Sequence, residues 1–143
     1  DYYKKCESMC DGEQIRMVGP CSRGETVLWY SRAFCMIHPN RQYREPFGLA
    51  PVEAMACGCP VIAWDNGAMR ETVEHGRTGW IVKSIDDLYR AIVVNPWTSL
   101  SSSLNADDKC RSYCQEWVKQ FSVDKMISRY EELCLEALNS GGW

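Results

Sequence analysis

The sequence predicts one α/β domain built on a doubly wound parallel sheet. Short apolar runs alternate with amphipathic segments along the chain, which is the pattern of strands followed by helices. The run Ala33–His38 is continuously apolar, as expected of a strand buried on both faces of a parallel sheet. The 143 residues suffice for one hydrophobic core, and 45% of them are hydrophobic.

The first part of the chain contains a helix end, a strand and a capped helix. Residues 1–10 resemble the tail of a helix, and Gln14–Gly19 is predicted as a short strand that ends in a Gly-Pro turn. Ser22-Arg-Gly-Glu25 has the spacing of a capping box and predicts a helix to about Ser31.

The central part repeats the strand-helix alternation. The predicted elements after the Ala33–His38 strand are a helix over Gly48–Cys57, a strand over Pro60–Trp64, a short helix over Ala68–Glu74, a strand over Gly79–Val82, and a helix that Ser84 caps and that runs to about Val94. The ligand of such a sheet is expected at the carboxyl ends of its strands.

The last part is predicted to be helical. A serine-rich loop over Pro96–Leu104 precedes a helix from Asn105 to about Gln120, and Ser122 caps a C-terminal helix over residues 122–139. This helix carries an apolar stripe at helical spacing. Its members are Met126, Ile127, Tyr130, Leu133, Cys134, Ala137 and Leu138.

Charge and cysteine content narrow the class of protein. The net charge of -3, with basic residues scattered, argues against a nucleic-acid partner. No apolar run approaches the roughly 20 residues that span a bilayer. The nine cysteines include no Cys-x2-Cys pair, so we expect reduced thiols that pack as small hydrophobic groups rather than a zinc site, and a cytoplasmic location.

The segment from Glu45 to Glu53 predicts a binding site. A helix beginning near Gly48 points the amides of Gly48, Leu49 and Ala50 out of its N-terminus, where the helix dipole favours an anion. Glu53 follows Leu49 by one helical turn, and Glu45 lies on the loop before the helix. Amides for a phosphate and carboxylates for hydroxyl groups suit a nucleotide sugar.

The same residues resemble the E-x7-E signature of GT-B glycosyltransferases of family 4. The resemblance is continuous over about forty residues. It comprises Glu45-Pro-Phe-Gly-Leu, Val52-Glu-Ala-Met-Ala-Cys-Gly, Pro60-Val-Ile-Ala, Asn66-Gly, Glu71-Thr-Val and Gly76-Arg-Thr-Gly-Trp-Ile-Val82. It implies a Rossmann-like, donor-binding C-terminal domain of a retaining, metal-independent enzyme that takes its sugar from a nucleotide-sugar donor.

The resemblance also implies roles for particular residues. Glu45 faces the transferred sugar and the charge that develops at its anomeric carbon, and Glu53 accepts hydrogen bonds from the ribose hydroxyls. Phe47, Gly48 and Leu49 act through their backbone.

Two turns are further candidates for the binding site. By resemblance, the loop at Gly19, Pro20 and Cys21 holds the nucleobase, although a simple turn explains these residues equally well. Asn66 and Gly67 follow a strand and are candidates for the sugar pocket, but a turn is again a sufficient explanation.

The resemblance further predicts an incomplete sheet. The four predicted strands correspond to strands three to six of the order 3-2-1-4-5-6, so that two strand-helix units and the N-terminal acceptor-binding domain would be absent. We therefore expect a fragment that is inactive alone and that self-associates. A nucleotide-sugar epimerase of the same architecture, or a non-catalytic nucleotide-sugar-binding or interaction module, remains an alternative function.

Overall fold

The computed structural model describes residues 1–94 and 105–140, and it alternates helices with parallel strands. The elements are α1 (Tyr2–Glu7), α2 (Arg23–Arg32), β1 (Met36–His38), α3 (Leu49–Ala56), β2 (Val61–Trp64), α4 (Met69–Thr72), β3 (Gly79–Val82), α5 (Ile85–Val93), α6 (Asn105–Trp117), a 3₁₀ turn (Val118–Phe121) and α7 (Val123–Asn139). The predicted loop over Pro96–Leu104 lies outside the described residues.

The described strands form one parallel sheet in the order β1-β2-β3. Met36 pairs with Val61 in the β1-β2 ladder, and Val61 pairs with Gly79 in the β2-β3 ladder. All three strands therefore end at one edge, which His38, Trp64 and Val82 mark. In the predicted order 3-2-1-4-5-6, strands four, five and six are neighbours in chain order. The observed strands β1, β2 and β3 are neighbours in the same way and match these three.

The prediction of a strand at Gln14–Gly19 is wrong. This segment is exposed and pairs with no strand of the described sheet. The Asp11 carboxylate instead accepts the amides of Glu13, Gln14 and Ile15, at 2.7 to 2.9 Å. A strand needs a neighbouring strand for its amides, and here a turn around Asp11 takes the amides of the first two residues, Gln14 and Ile15. The same hydrogen bonds, that from Ile15 first, lower the pKa of Asp11.

The predicted helix starts are confirmed. Ser22 with Glu25, and Ser84 with Asp87, form reciprocal capping boxes, and Ser122 caps α7 by accepting the Lys125 amide. The helix predicted to reach Gln120 ends at Trp117, because its last residues tighten into the 3₁₀ turn.

The core lies between the sheet and the helices that follow its strands. Its buried members are Ala54, Met55, Cys59, Val61, Ile62, Ala63, Met69, Val73, Val82, Ala91, Cys110 and Cys114. Small side chains on α3 let the helix lie close to β1 and β2, with which it is in contact. Three cysteines belong to this core, and none of the nine, all of which lie in the described part of the chain, forms a disulfide.

Helix α7 contributes no side chain to the core. None of its 17 residues is buried, and its stripe is exposed, for example by 52% at Met126 and 64% at Tyr130. The exposed apolar stripe predicted from the sequence is therefore present. No described helix combines the length and the apolar character needed to cross a membrane.

Candidate functional site

The segment from Glu45 to Gly48 forms a tight bend at the start of α3. Gly48 has a φ of 88°, in the left-handed region, and its amide donates to Oε1 of Glu45 at 3.1 Å. The bend therefore brings the Glu45 carboxylate to the N-terminus of α3, where the helix dipole stabilises a negative charge. The expectation that the Gly48 amide is free is wrong, because Glu45 of the same chain accepts it.

The next two amides remain at the helix start. Leu49 and Ala50 lie in the first turn of α3, whose amides have no acceptor within the helix, and no side chain caps this end. The first residue of α3, Leu49, is exposed, whereas Gly48 before it is buried. Of these two residues, Leu49 is therefore the one that a ligand can reach. These amides lie at the positive end of the α3 dipole, where an anion is favoured, and their role in binding stays a prediction.

Glu53 is exposed one turn further along α3. Two nearby groups have a raised pKa, the Tyr30 hydroxyl and the Cys57 thiol. In both cases burial is the larger cause, and the negative charge of Glu53 is the second. Glu53 lies on α3, and α3 is in contact with α2, the helix that carries Tyr30.

The turn after β2 holds the Glu45 bend in place. The Ala68 amide donates to the carbonyl oxygen of Glu45 at 2.9 Å. Gly67 has a φ of 60°, and a Cβ at this position would lie 2.6 Å from the backbone nitrogen of Glu45, which is closer than atoms can approach. Gly67 is therefore a contact residue of the Glu45 backbone, and glycine is required there.

Asn66 fixes the loop that leads to Glu45. Its Nδ2 donates to the carbonyl oxygens of Asn40 and Tyr43, at 3.3 and 2.7 Å. This amide group is thus occupied within the chain. These two hydrogen bonds make Asn66 an anchor of the loop. A role of Asn66 in a sugar pocket stays a prediction.

His38 is a residue whose closeness to Glu45 the sequence did not reveal. It ends β1, and its Nε2 lies 3.8 Å from Oε2 of Glu45, too far for a hydrogen bond. This buried nitrogen has no hydrogen-bond partner within the described part of the chain. In sequence, His38 is only the last residue of the predicted Ala33–His38 strand, and it is the fold that brings Glu45 back over the strand end.

A chain of aromatic rings supports the bend from the other side. Phe47 meets Phe121 edge to face, with ring centroids 5.6 Å apart, and Phe121 meets Trp117 at 6.3 Å. Trp117 donates from its indole nitrogen to the Thr72 carbonyl at 2.8 Å. No sequence motif connects residues 47 and 121, so these contacts were not predicted.

Charged groups surround the same edge of the sheet. Asp65 follows β2 and makes a bidentate ion pair with Arg70, at 2.6 and 2.7 Å, which lowers the pKa of the Asp65 carboxyl. The Arg41 guanidinium lies 4.3 Å from the centre of the Trp64 ring. Stacking on an aromatic face leaves the donor edge of an arginine available for an anion.

Gly19, Pro20 and Cys21 lie in an exposed turn. Gly19 has a φ of 75° with open space around it, and the Cys21 thiol lies 3.6 Å from the Gly19 carbonyl. These contacts are local and do not test the predicted nucleobase loop. Among the side chains that the structure describes, no group of three or more histidine, cysteine or acidic residues is arranged to hold a metal ion.

The chain is an α/β domain with a carboxylate-bearing bend and open helix amides at the carboxyl edge of its parallel sheet, which is the edge where such sheets bind ligands. The family model described as glycosyl transferases group 1 matches residues 2–93. The chain therefore belongs to the group 1 glycosyl transferase family.

Individual relatives agree with this assignment. The chain is 38% identical over 90 residues to D-inositol 3-phosphate glycosyltransferase 1 of Catenulispora acidiphila, a match that covers 59% of this chain and 21% of the relative. The chain thus spans 21% of the length of that relative.

Solved structures show the same fold. Sucrose-phosphate synthase from Thermosynechococcus elongatus superposes with a TM-score of 0.70 at 25% identity, over 97% of this chain and 34% of that one. HepE of Anabaena, in complex with UDP-glucose, superposes with a TM-score of 0.70 at 22% identity, over 94% and 36%. Both superpositions extend over more than nine tenths of this chain, so the predicted α/β fold class is confirmed.

Proposed function

We propose that this chain is the donor-binding part of a retaining glycosyltransferase that transfers a sugar from a nucleotide sugar to an acceptor. One observation carries the proposal. In a member of the group 1 family, the bend from Glu45 to Gly48 places a carboxylate and the open amides of Leu49 and Ala50 together at the carboxyl edge of the sheet.

Each part of this arrangement suits a part of the donor. The Leu49 and Ala50 amides, at the positive end of the α3 dipole, bind the diphosphate, and Arg41 adds positive charge at the same edge. Glu53 accepts hydrogen bonds from the ribose hydroxyls, and the turn at Gly19, Pro20 and Cys21 contacts the base.

The transfer step depends on the bend itself. Phe47 positions the bend, and Glu45 stabilises the charge that develops on the transferred sugar. Neither role requires a metal.

The acceptor side is proposed to lie on another domain. Relatives are several times longer than this chain, which supports an N-terminal acceptor-binding domain in the whole protein. Transfer by these 143 residues alone is then not expected. The nine cysteines, none of which forms a disulfide in the described part of the chain, support a reducing, cytoplasmic setting.

The test is calorimetric binding of nucleoside diphosphates and nucleotide sugars to the whole protein. We expect one diphosphate to bind, and Glu53→Gln to weaken it by roughly 1.5–3 kcal/mol, the contribution of hydrogen bonds to a charged group. Glu131→Gln is the matched control, because Glu131 is exposed on α7. Absence of binding to every nucleotide would leave the non-catalytic module as the better explanation. Equal affinity in the Glu53 variant would remove Glu53 from the site.

A further inference from the structure

Phe47 is the aromatic residue of the Glu45–Gly48 bend, and its half-buried ring contacts the C-terminal part of the chain. It meets the ring of Phe121 at an interplanar angle of 83°, the edge-to-face geometry that aromatic pairs favour. The two residues are 74 positions apart in sequence. This contact therefore connects the candidate donor site to the 3₁₀ turn that ends at Phe121.

The other side of Phe121 is anchored. Trp117 contacts Phe121 at 78° and hydrogen-bonds through its indole nitrogen to the Thr72 carbonyl at the end of α4. Since α4 also begins immediately after the Gly67-Ala68 pair that holds the Glu45 carbonyl, both supports of the bend depend on the same short helix. The bend is thus held by its backbone on one side and by Phe121 on the other.

We infer that Phe121 is a positioning residue of the donor site: it fixes Phe47, and through Phe47 the separation between the Glu45 carboxylate and the Gly48 and Leu49 amides. The inference rests on the proposed function for its consequence in binding, but the geometry that it describes can be measured without a ligand. In this inference Phe121 acts on the donor only through its contact with Phe47.

The first experiment is a double-mutant cycle on nucleoside diphosphate affinity in the whole protein. Phe121→Leu keeps an apolar side chain and removes the ring, and we expect a loss of about 3- to 10-fold in affinity. In the Phe47→Leu background the same substitution is expected to have no further effect. Losses that multiply would show that Phe121 does not act through Phe47, and would overturn the inference.

The second experiment distinguishes this inference from the proposed function. Hydrogen exchange of the Gly48 amide reports its bond to Glu45 without any nucleotide. We expect faster exchange in Phe121→Leu, and restoration in Phe121→Tyr, which keeps the ring. Tyr130→Ala, on the exposed stripe of α7, is the control and should leave Gly48 unchanged. Unchanged exchange in Phe121→Leu would refute the positioning role even if nucleotides bind, and changed exchange without any nucleotide binding would refute only the proposed function.

Discussion

Gly67 and Glu45 are in direct backbone contact, although 22 positions separate them. The carbonyl oxygen, nitrogen and carbonyl carbon of Glu45 all lie where a side chain at Gly67 would begin. The following residue, Ala68, hydrogen-bonds to the Glu45 carbonyl. A turn that the sequence explains as a simple change of direction is therefore the support on which the acidic bend rests.

Gly67→Ala is expected to displace the Glu45 bend. The left-handed conformation alone costs a residue with a side chain about 1–2 kcal/mol, and overpacking against the backbone adds roughly 1–3 kcal/mol. Chemical denaturation should show this loss of stability, and calorimetry should show weaker nucleotide binding. Gly76→Ala is the matched control, because Gly76 has a φ of 84° with open space around it. Equal losses in both variants would show that the contact with Glu45 is unimportant.

Glu45→Gln is expected to lower the turnover of the whole enzyme by about 100-fold or more while donor affinity stays nearly constant. The glutamine keeps an oxygen that accepts the Gly48 amide, so the bend is retained and only the charge is lost. Steady-state kinetics with varied donor separates the two effects. A change in the donor constant with intact turnover would make Glu45 a binding residue. Glu45→Ala, which also removes the hydrogen bond, should affect both constants.

The cysteines are expected to react in order of their exposure. A thiol reagent should titrate nine thiols in the unfolded chain without reductant, and Cys21 and Cys134 first in the native chain, because both are exposed. Burial raises the pKa of the Cys59 thiol to about 12, so its reactive thiolate is scarce at neutral pH. A protected pair of cysteines would contradict this prediction.

The same pKa gives a prediction for alkaline stability. The folded pKa of Cys59 lies above the unfolded value, so its contribution to stability is complete below pH 9 and is lost as the pH rises toward about 12. Denaturant midpoints measured from pH 8 upward should fall, and Cys59→Ala should fall less steeply. A parallel decline in both proteins would assign the loss to other groups.

The exposed stripe of α7 is expected to cause self-association of the 143-residue chain. Sedimentation should show an average mass that rises with concentration, because an apolar stripe of this kind gains by burial. Ile127→Glu with Tyr130→Glu should reduce association, whereas Ser128→Glu, which adds a charge off the stripe, should have little effect. A monomer at all concentrations would refute the prediction.

Local rules predicted much of the fold. Capping residues placed the starts of α2, α5 and α7, and short apolar runs placed β1, β2 and β3, because both signals depend on neighbours in sequence. The Gln14–Gly19 strand failed for the opposite reason. Its apolar residues satisfy a strand pattern, but strand formation depends on a hydrogen-bonding partner that the local sequence does not reveal.

For the candidate site, the sequence predicted the local feature at the helix start and missed the contacts between residues distant in sequence. The helix start at Gly48 follows from glycine and dipole arguments. The contacts of Glu45 with Gly67 and His38, and of Phe47 with Phe121, join residues that are distant in sequence, so only the folded chain reveals them. The roles of these residues in binding and catalysis stay predictions.

Helix α7 is stabilised mainly by the hydrogen bonds within its own turns. A helix of 17 residues with no buried side chain gains little from tertiary packing, and isolated helices of about this length are only marginally stable in water. Warming should therefore unwind α7 well before the sheet melts, and its amides should exchange with solvent long before those of β2. A surface that covers the stripe would slow the hydrogen exchange of the α7 amides. The degree of slowing would then measure the fraction of molecules in which the stripe is covered.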